Sequence, residues 1–189
     1  MNFLKLVKMP FSFHEGWDQL DTTHASVVRI FLQLVLPLSL LPPAMLLYAG
    51  SHHASAYMIN VAPTRWEAVA AVFFIAELIT VPLMGILLKQ IASTYQIVTD
   101  SRRSFLLAAV TAIPMFLSSV GLAIPNMWGM ISVIVLGLLL AASVLYHGAF
   151  YILKLEDPSG AEVLSAEAFA SGALVWALLC AFVLLPLMN

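Results

Sequence analysis

Residues 66–88 of the chain read WEAVAAVFFIAELITVPLMGILL, an apolar run with two acids, Glu67 at its start and Glu77 near its middle. Such a run has about 20 or more residues, enough to cross roughly 30 Å of hydrocarbon as an α-helix rising about 1.5 Å per residue. Because the bilayer interior offers the backbone no hydrogen-bond partner, a run that enters it must fold as a helix. Residues 66–88 therefore predict a transmembrane helix.

Four further runs share this length and apolar character. Of the 189 residues, 62% are hydrophobic and 10% are charged, whereas a soluble domain is about one-quarter charged. The mean hydropathy is +0.99. The sequence predicts an all-α integral membrane protein, with a five-helix transmembrane bundle over 27–189 after an N-terminal segment 1–26. The predicted spans are 27–49, 66–88, 105–124, 127–153 and 166–188, and the longer loops are 50–65, 89–104 and 154–165.

Basic residues indicate the orientation of the bundle. If all five runs span, seven of the eight Lys and Arg residues fall on the side of the N-terminus, and Arg65 stands alone on the other. Basic residues accumulate on the cytoplasmic side of membrane proteins. The sequence therefore predicts a cytoplasmic N-terminus and a C-terminus on the opposite side.

An amphipathic pattern precedes the first span. Phe13, Trp17 and Leu20 follow one another at helical spacing, with polar residues between them. This pattern predicts a short interfacial helix on the cytoplasmic leaflet, anchored by these three side chains. A helix packed beneath the bundle fits the same pattern, and both interpretations stay open.

Several short motifs, in their order and spacing, resemble those of the Yip domain family of membrane proteins, in its small bacterial branch. The entry segment 11–17 reads FSFHEGW and is similar to the family pattern Phe-Ser-Pro-x-x-x-Trp, with Phe13 in the place of the proline. The later matches are LVLPL at 34–38, AIPMFLS at 112–118, the Pro125 turn, and Tyr146 with Gly148.

The resemblance implies a five-helix layout with a cytoplasmic N-terminus, here in a bacterial inner membrane with the C-terminus in the periplasm. Members of the family in eukaryotes are associated with Rab GTPases, vesicle traffic and membrane shaping. In this sequence, 26 residues precede the first predicted span, so the long soluble N-terminal region of those members is not expected here. The resemblance implies no catalytic residues and no cofactor.

Glu77 is the candidate for an intramembrane polar site. A charged carboxylate at mid-bilayer costs about 2.5–3.5 kcal/mol on insertion scales, so it should face the bundle and be either partnered or protonated. Thr80 shares its face at helical spacing. One hypothesis is a proton or cation site around Glu77 and Thr80. The alternative is a neutral acid that hydrogen-bonds to a neighbouring helix.

His147 is a second candidate for the same site, together with Tyr146. Histidine titrates near physiological pH and can relay protons. The residue lies close to the cytoplasmic end of the fourth predicted span, at a different expected depth from Glu77. A hydrogen bond at the helix end is the alternative interpretation.

Basic residues flank the second predicted loop. Lys89 follows the second span, and Arg102 and Arg103 precede the third. Juxtamembrane basic residues contact anionic headgroups, so these three residues predict a headgroup-binding surface. A specific lipid or protein site is the sharper alternative.

Several functional classes lack support in the sequence. No basic patch with interleaved aromatic residues points to nucleic acid. No phosphate loop, zinc motif or nucleophile turn is present, so no enzyme, metal or cofactor is predicted. The favoured function is a non-enzymatic membrane organiser or adaptor that binds lipid or protein partners, with a homo-oligomer as one possibility. The alternative is a small proton- or cation-coupled transporter or channel, whose substrate the sequence does not specify.

Overall fold

The computed structural model describes residues 17, 26–57, 59, 61–153 and 158–188. Every regular element in these residues is helical, and five helices are long and apolar enough to cross a membrane. This confirms the prediction of an all-helical bundle with five apolar helices. The helices are α1 (Val27–His52), α2 (Pro63–Thr94), α3 (Ser101–Ser118), α4 (Met127–Ile152) and α5 (Pro158–Met188).

Short polar side chains define where three of these helices begin. The Ser26 hydroxyl accepts a hydrogen bond from the backbone N–H of Arg29 at the start of α1. Asp100 Oδ1 accepts from the N–H of Arg103 at 2.6 Å. Asn126 Oδ1 accepts from two N–H groups at the start of α4, at 2.8 and 3.1 Å. Such caps satisfy amides that have no partner within the helix.

Three helices are longer than the sequence predicted: α1 by three residues at its end, and α2 and α5 by more. Helix α2 continues beyond residue 88 to Thr94, and α5 begins at Pro158, inside the predicted loop 154–165. Proline lacks an N–H, but the first residue of a helix needs none, so Pro158 starts a helix where a break was expected. Helix α3 ends earlier, at Ser118, and continues as a 3₁₀ segment over Ser119–Ala123.

Helix α1 is irregular along its length. It contains a π-helical stretch over Phe31–Val35 and a turn at residues 39–40, just before Pro42 and Pro43. Prolines remove backbone donors and so interrupt the helical ladder. The Ser39 hydroxyl donates to the carbonyl of Leu36 at 2.9 Å, which satisfies one acceptor at this turn.

Helices α2, α3, α4 and α5 form a closed ring in which each helix packs against its two neighbours. Helix α1 packs against this ring, in contact with α2, α3 and the 3₁₀ segment. The α3 segment is the most buried of the five candidate spans, at 56%, against at most 28% for the others. Helix α3 is therefore the central helix of the bundle.

Glycines allow α3 to approach its neighbours closely. A Cβ added at Gly85 of α2 would lie 3.0 Å from the Cα of Phe105. A Cβ added at Gly137 of α4 would collide with the side chain of Ser118 and lie 3.1 Å from the Pro114 carbonyl oxygen. Small residues at helix crossings permit this backbone approach.

A buried tyrosine joins two connections at the end of the bundle opposite the α2–α3 connection. The Tyr57 hydroxyl lies 2.9 Å from the carbonyl oxygen of Leu122 and 2.6 Å from that of Ile124. Its single proton is shared between the two acceptors. Burial raises the pKa of Tyr57 above its usual value. The α1–α2 connection is thereby fixed to the α3–α4 connection.

Candidate functional site

A cavity of about 720 Å³ lies among α2, α3, α4 and α5, and Pro42 and Leu46 of α1 also line it. All four helices contribute to its wall, and most of the contributing side chains are apolar. Leu83, Ile86 and Val175 belong to the wall and are about half exposed, at 53%, 56% and 47%. The cavity therefore reaches the apolar outer surface of the bundle near the α2–α5 seam.

Glu77 projects from α2 into this cavity. Its side chain is 8% exposed, and its Oε2 atom has no hydrogen-bond partner among the described residues. Thr80 also lines the cavity, but its hydroxyl donates to the backbone carbonyl of Glu77 at 3.3 Å. The two residues therefore line one cavity, and Glu77 Oε2 is buried there without a hydrogen-bond partner among the described residues.

Thr111 of α3 is a site residue that the sequence reasoning missed. It lines the same cavity, and its Oγ1 atom is buried with no hydrogen-bond partner among the described residues. Ala108 and Ala112 line the cavity beside it. A hydroxyl between alanines at helical spacing was the available signal in the sequence, because small residues on that face leave room for a cavity.

The electrostatic character of the cavity is simple. None of its described lining residues is a lysine, arginine or histidine, and Glu77 is its one carboxylic acid. The hydroxyls of Ser118 and Ser119 donate to carbonyls of their own helix at 2.7 and 2.6 Å. The cavity wall thus carries one acid, several hydroxyls and the polar groups of Gln90, Trp176 and Cys180, surrounded by hydrocarbon and aromatic rings.

His147 and Tyr146 do not join Glu77. Neither belongs to the described cavity wall. His147 Nδ1 lies 2.7 Å from the backbone carbonyl oxygen of Ser143, one helical turn earlier. The Tyr146 ring meets the imidazole edge-on, with 5.4 Å between centroids. This geometry favours the hydrogen-bonding interpretation of His147.

The predicted headgroup residues lie at the α2–α3 junction. The Lys89 ammonium donates to the Ser101 hydroxyl at 2.9 Å. Arg102 and Arg103 are partly buried in the first turn of α3. Lys89 therefore contacts the same helix start that carries the two arginines.

Trp17 lies in the protein core. Its side chain is fully buried and contacts the position of Gly148 on α4, beside Leu107 of α3. This placement agrees with the interpretation of a segment packed against the bundle. Phe13 and Leu20, the other two predicted anchors, lie outside the described residues.

Fold and site together define an all-helical protein with five helices long and apolar enough to cross a membrane and a mostly apolar cavity whose wall includes one acid. Comparisons with protein-family models, curated proteins and solved structures found no match. Membership of the Yip domain family stays a prediction.

Proposed function

We propose that this chain is an integral membrane protein, inserted with its N-terminus in the cytoplasm of a bacterial cell and its C-terminus in the periplasm. The outward faces of its helices support insertion, because large apolar side chains stand exposed along them. A soluble monomer rarely exposes contiguous apolar surface on this scale. Examples on three helices are Ile75, Ile79, Val135, Leu139, Leu174 and Leu178.

Cysteine labelling in intact cells tests this topology. In a Cys180→Ser background, a membrane-impermeant maleimide should label Ala62→Cys before α2 and should not label Val98→Cys before α3. Both positions are exposed, and Val98 is 96% exposed. Labelling of Val98→Cys alone would invert the topology, and labelling of both positions would contradict membrane insertion.

Within the membrane, we propose that the protein acts without catalysis, as an organiser or adaptor of the Yip-like type that binds lipid. The cavity inside the four-helix ring carries this proposal. Its volume of about 720 Å³ lies within the roughly 300–1,000 Å³ typical of small-molecule sites. Its wall is apolar and reaches the outer surface near a helix seam, so a lipid chain can enter from the bilayer.

Native mass spectrometry of gently extracted protein tests lipid binding. Ala173→Phe places a ring into the cavity, whereas Ala177→Phe changes an exposed alanine one turn along the same helix, outside the described cavity wall. Wild type and Ala177→Phe should retain the same lipophilic molecule, and Ala173→Phe should lose it. Equal retention by all three proteins would mean that bound lipid lies elsewhere.

A proton- or cation-coupled transporter is the second candidate, and the unpartnered Glu77 oxygen favours it. Pro82 lies in α2, a little more than one turn beyond this acid. Proline weakens the helical ladder and so supplies a point at which a helix can bend. A metal ion or small polar solute retained by wild type and absent from Glu77→Gln would support transport over lipid binding.

A further inference from the structure

The cavity carries specific chemical information about its ligand, beyond its apolar character. Of the five buried side-chain polar atoms that lack a hydrogen-bond partner among the described residues, two belong to cavity-lining residues: Glu77 Oε2 and Thr111 Oγ1. A buried polar atom without a partner destabilises the folded protein. A ligand that supplies hydrogen bonds to both atoms would offset this destabilisation.

The charges of the side chains that line the cavity determine which ligand charge it favours. None of the described lining residues is basic and one is an acid, so the charge of the wall favours a cationic group over an anionic one. A protonated amine next to ionised Glu77 forms a pair with no net charge, which is cheaper to bury than either ion alone. The Glu77 carboxylate and the Thr111 hydroxyl are both acceptors for the amine N–H groups once these buried side chains turn toward the ligand.

Aromatic side chains around the cavity favour the same charge. The face of an aromatic ring attracts a cation when the cation lies within about 6 Å of its centre. The ring faces interact unfavourably with an anion, and they add no charge-dependent interaction with an alkyl chain. The aromatic lining residues are Phe73, Phe116, Phe169 and Trp176.

We propose that the ligand of this cavity is an amphipathic monoamine, whose ammonium group is bound by Glu77 and Thr111 and whose apolar body fills the space between α2, α3, α4 and α5. This inference rests on the proposed function, because it requires that the cavity be occupied by a lipophilic molecule. Beyond the proposed function, it specifies that this molecule carries a positive charge and that its polar group is an amine.

Dodecylamine and dodecanol provide the direct test, because they share a chain and differ in the charged group. The protein is placed in nanodiscs of zwitterionic lipid, and each probe is titrated while tryptophan fluorescence is recorded. Trp176 lines the cavity and reports on its occupancy. Trp176→Phe identifies the signal of the other three tryptophans, since the chain has four.

The expected result is that wild type binds dodecylamine roughly ten-fold or more tightly than dodecanol, as a charged hydrogen bond predicts. Glu77→Gln should bind the two probes with similar affinity. Thr111→Val should weaken amine binding by a smaller factor and leave alcohol binding unchanged. Ala173→Phe should weaken both probes, and Ala177→Phe neither.

Two outcomes would overturn the inference, and they are distinguishable. Equal affinity of wild type for both probes, with both blocked by Ala173→Phe, would leave a lipid-binding cavity without charge selection. Absence of any Trp176 response to either probe would remove the proposed lipid-binding function as well. The wild-type comparison decides the matter even if Glu77→Gln fails to fold.

Discussion

Glu77 on α2 and Thr111 on α3 line one cavity, and each presents a side-chain oxygen that has no hydrogen-bond partner among the residues that the structure describes. The two residues come from neighbouring helices of the four-helix ring. An empty binding site commonly bears such a cost, because groups arranged for a ligand lower the stability of the free protein. Stability and ligand binding should therefore change in opposite directions when these groups are replaced.

Thr111→Val tests this relationship. Valine keeps the branched shape and removes the unpartnered hydroxyl, so the free energy of unfolding without added ligand should rise by about 1 kcal/mol. Thr80→Val is the matched control, because the Thr80 hydroxyl already donates to the Glu77 carbonyl and its removal should give no gain. Titration with a denaturing detergent in mixed micelles measures both. A loss of stability in Thr111→Val as large as in Thr80→Val would contradict the unpartnered state of Thr111.

Because α3 and α4 cross closely, a larger residue in place of Gly137 should destabilise the protein. Gly137→Ala places a methyl group against Ser118 and the Pro114 carbonyl, and overpacking of this kind costs about 1–3 kcal/mol. Gly160 of α5 has nothing within 4 Å of an added Cβ. Gly160→Ala should therefore stabilise the protein by roughly 0.4–1 kcal/mol, through restriction of the unfolded chain. The same unfolding assay should separate the two variants in opposite directions, and equal effects would refute the close crossing.

Gln96 has a backbone conformation that suits glycine. Its φ is 60°, and the N–H groups of Gln96 and Ile97 donate back to the carbonyls of Ser93 and Ala92. These two hydrogen bonds form a Schellman motif at the end of α2. A residue other than glycine pays about 1–2 kcal/mol for left-handed backbone.

Gln96→Gly should accordingly raise the free energy of unfolding by about 1 kcal/mol, because part of the gain is offset by the greater freedom of glycine in the unfolded chain. Gln96→Ala is the control: alanine has a Cβ, so it should leave stability near the wild-type value. If alanine stabilises as much as glycine, the glutamine side chain and not the backbone conformation is responsible.

The raised pKa of the Tyr57 hydroxyl predicts that the protein loses stability in alkaline solution. Burial raises this pKa above the usual 10.0 in the folded protein, so the folded state retains a proton that the unfolded state releases. The stabilising contribution is complete below pH 10.0 and is lost as the pH rises through the higher folded pKa. Wild type should lose more stability than Tyr57→Phe between pH values on either side of 10.0.

Tyr95→Phe controls for a second tyrosine. A hydrogen bond to Glu167 is the main cause that raises the pKa of Tyr95, with burial and the Glu167 charge also contributing. Tyr95 is exposed and lies at the opposite end of the bundle from Tyr57. If the loss of stability at high pH persists in Tyr57→Phe and disappears in Tyr95→Phe, Tyr95 is its cause and the prediction for Tyr57 is wrong.

The sequence predicted the apolar helices well, because each run is long and separated from the next by polar or turn-forming residues. It misplaced the start of α5, since Pro158 gives the same local signal for a helix break and for a first helical residue. It singled out Glu77 through the cost of an acid in an apolar run. It missed Thr111, because a hydroxyl costs little free energy at any position of a membrane helix. Only the rotation of α3 shows that this residue lines a cavity.

The grouping of His147 with Glu77 also shows what helix packing decides. A periodic pattern gives the face of a residue on its own helix, whereas the partner of that face depends on how neighbouring helices rotate. In the described structure the His147 ring turns to the backbone of α4, and other residues of α3, α4 and α5 complete the cavity around Glu77. A single sequence contains no direct information about this arrangement.

Photo-crosslinking in native membranes tests the central claim, that lipid occupies the interior of the ring. A phospholipid with a diazirine near the middle of one acyl chain is incorporated and activated, and the modified residues are located by peptide mass spectrometry. The account predicts modification of cavity-facing residues on the central helix, such as Ala112 and Met115, and its loss in Ala173→Phe but not in Ala177→Phe. Modification confined to outward-facing residues such as Leu139 and Leu178 would contradict it.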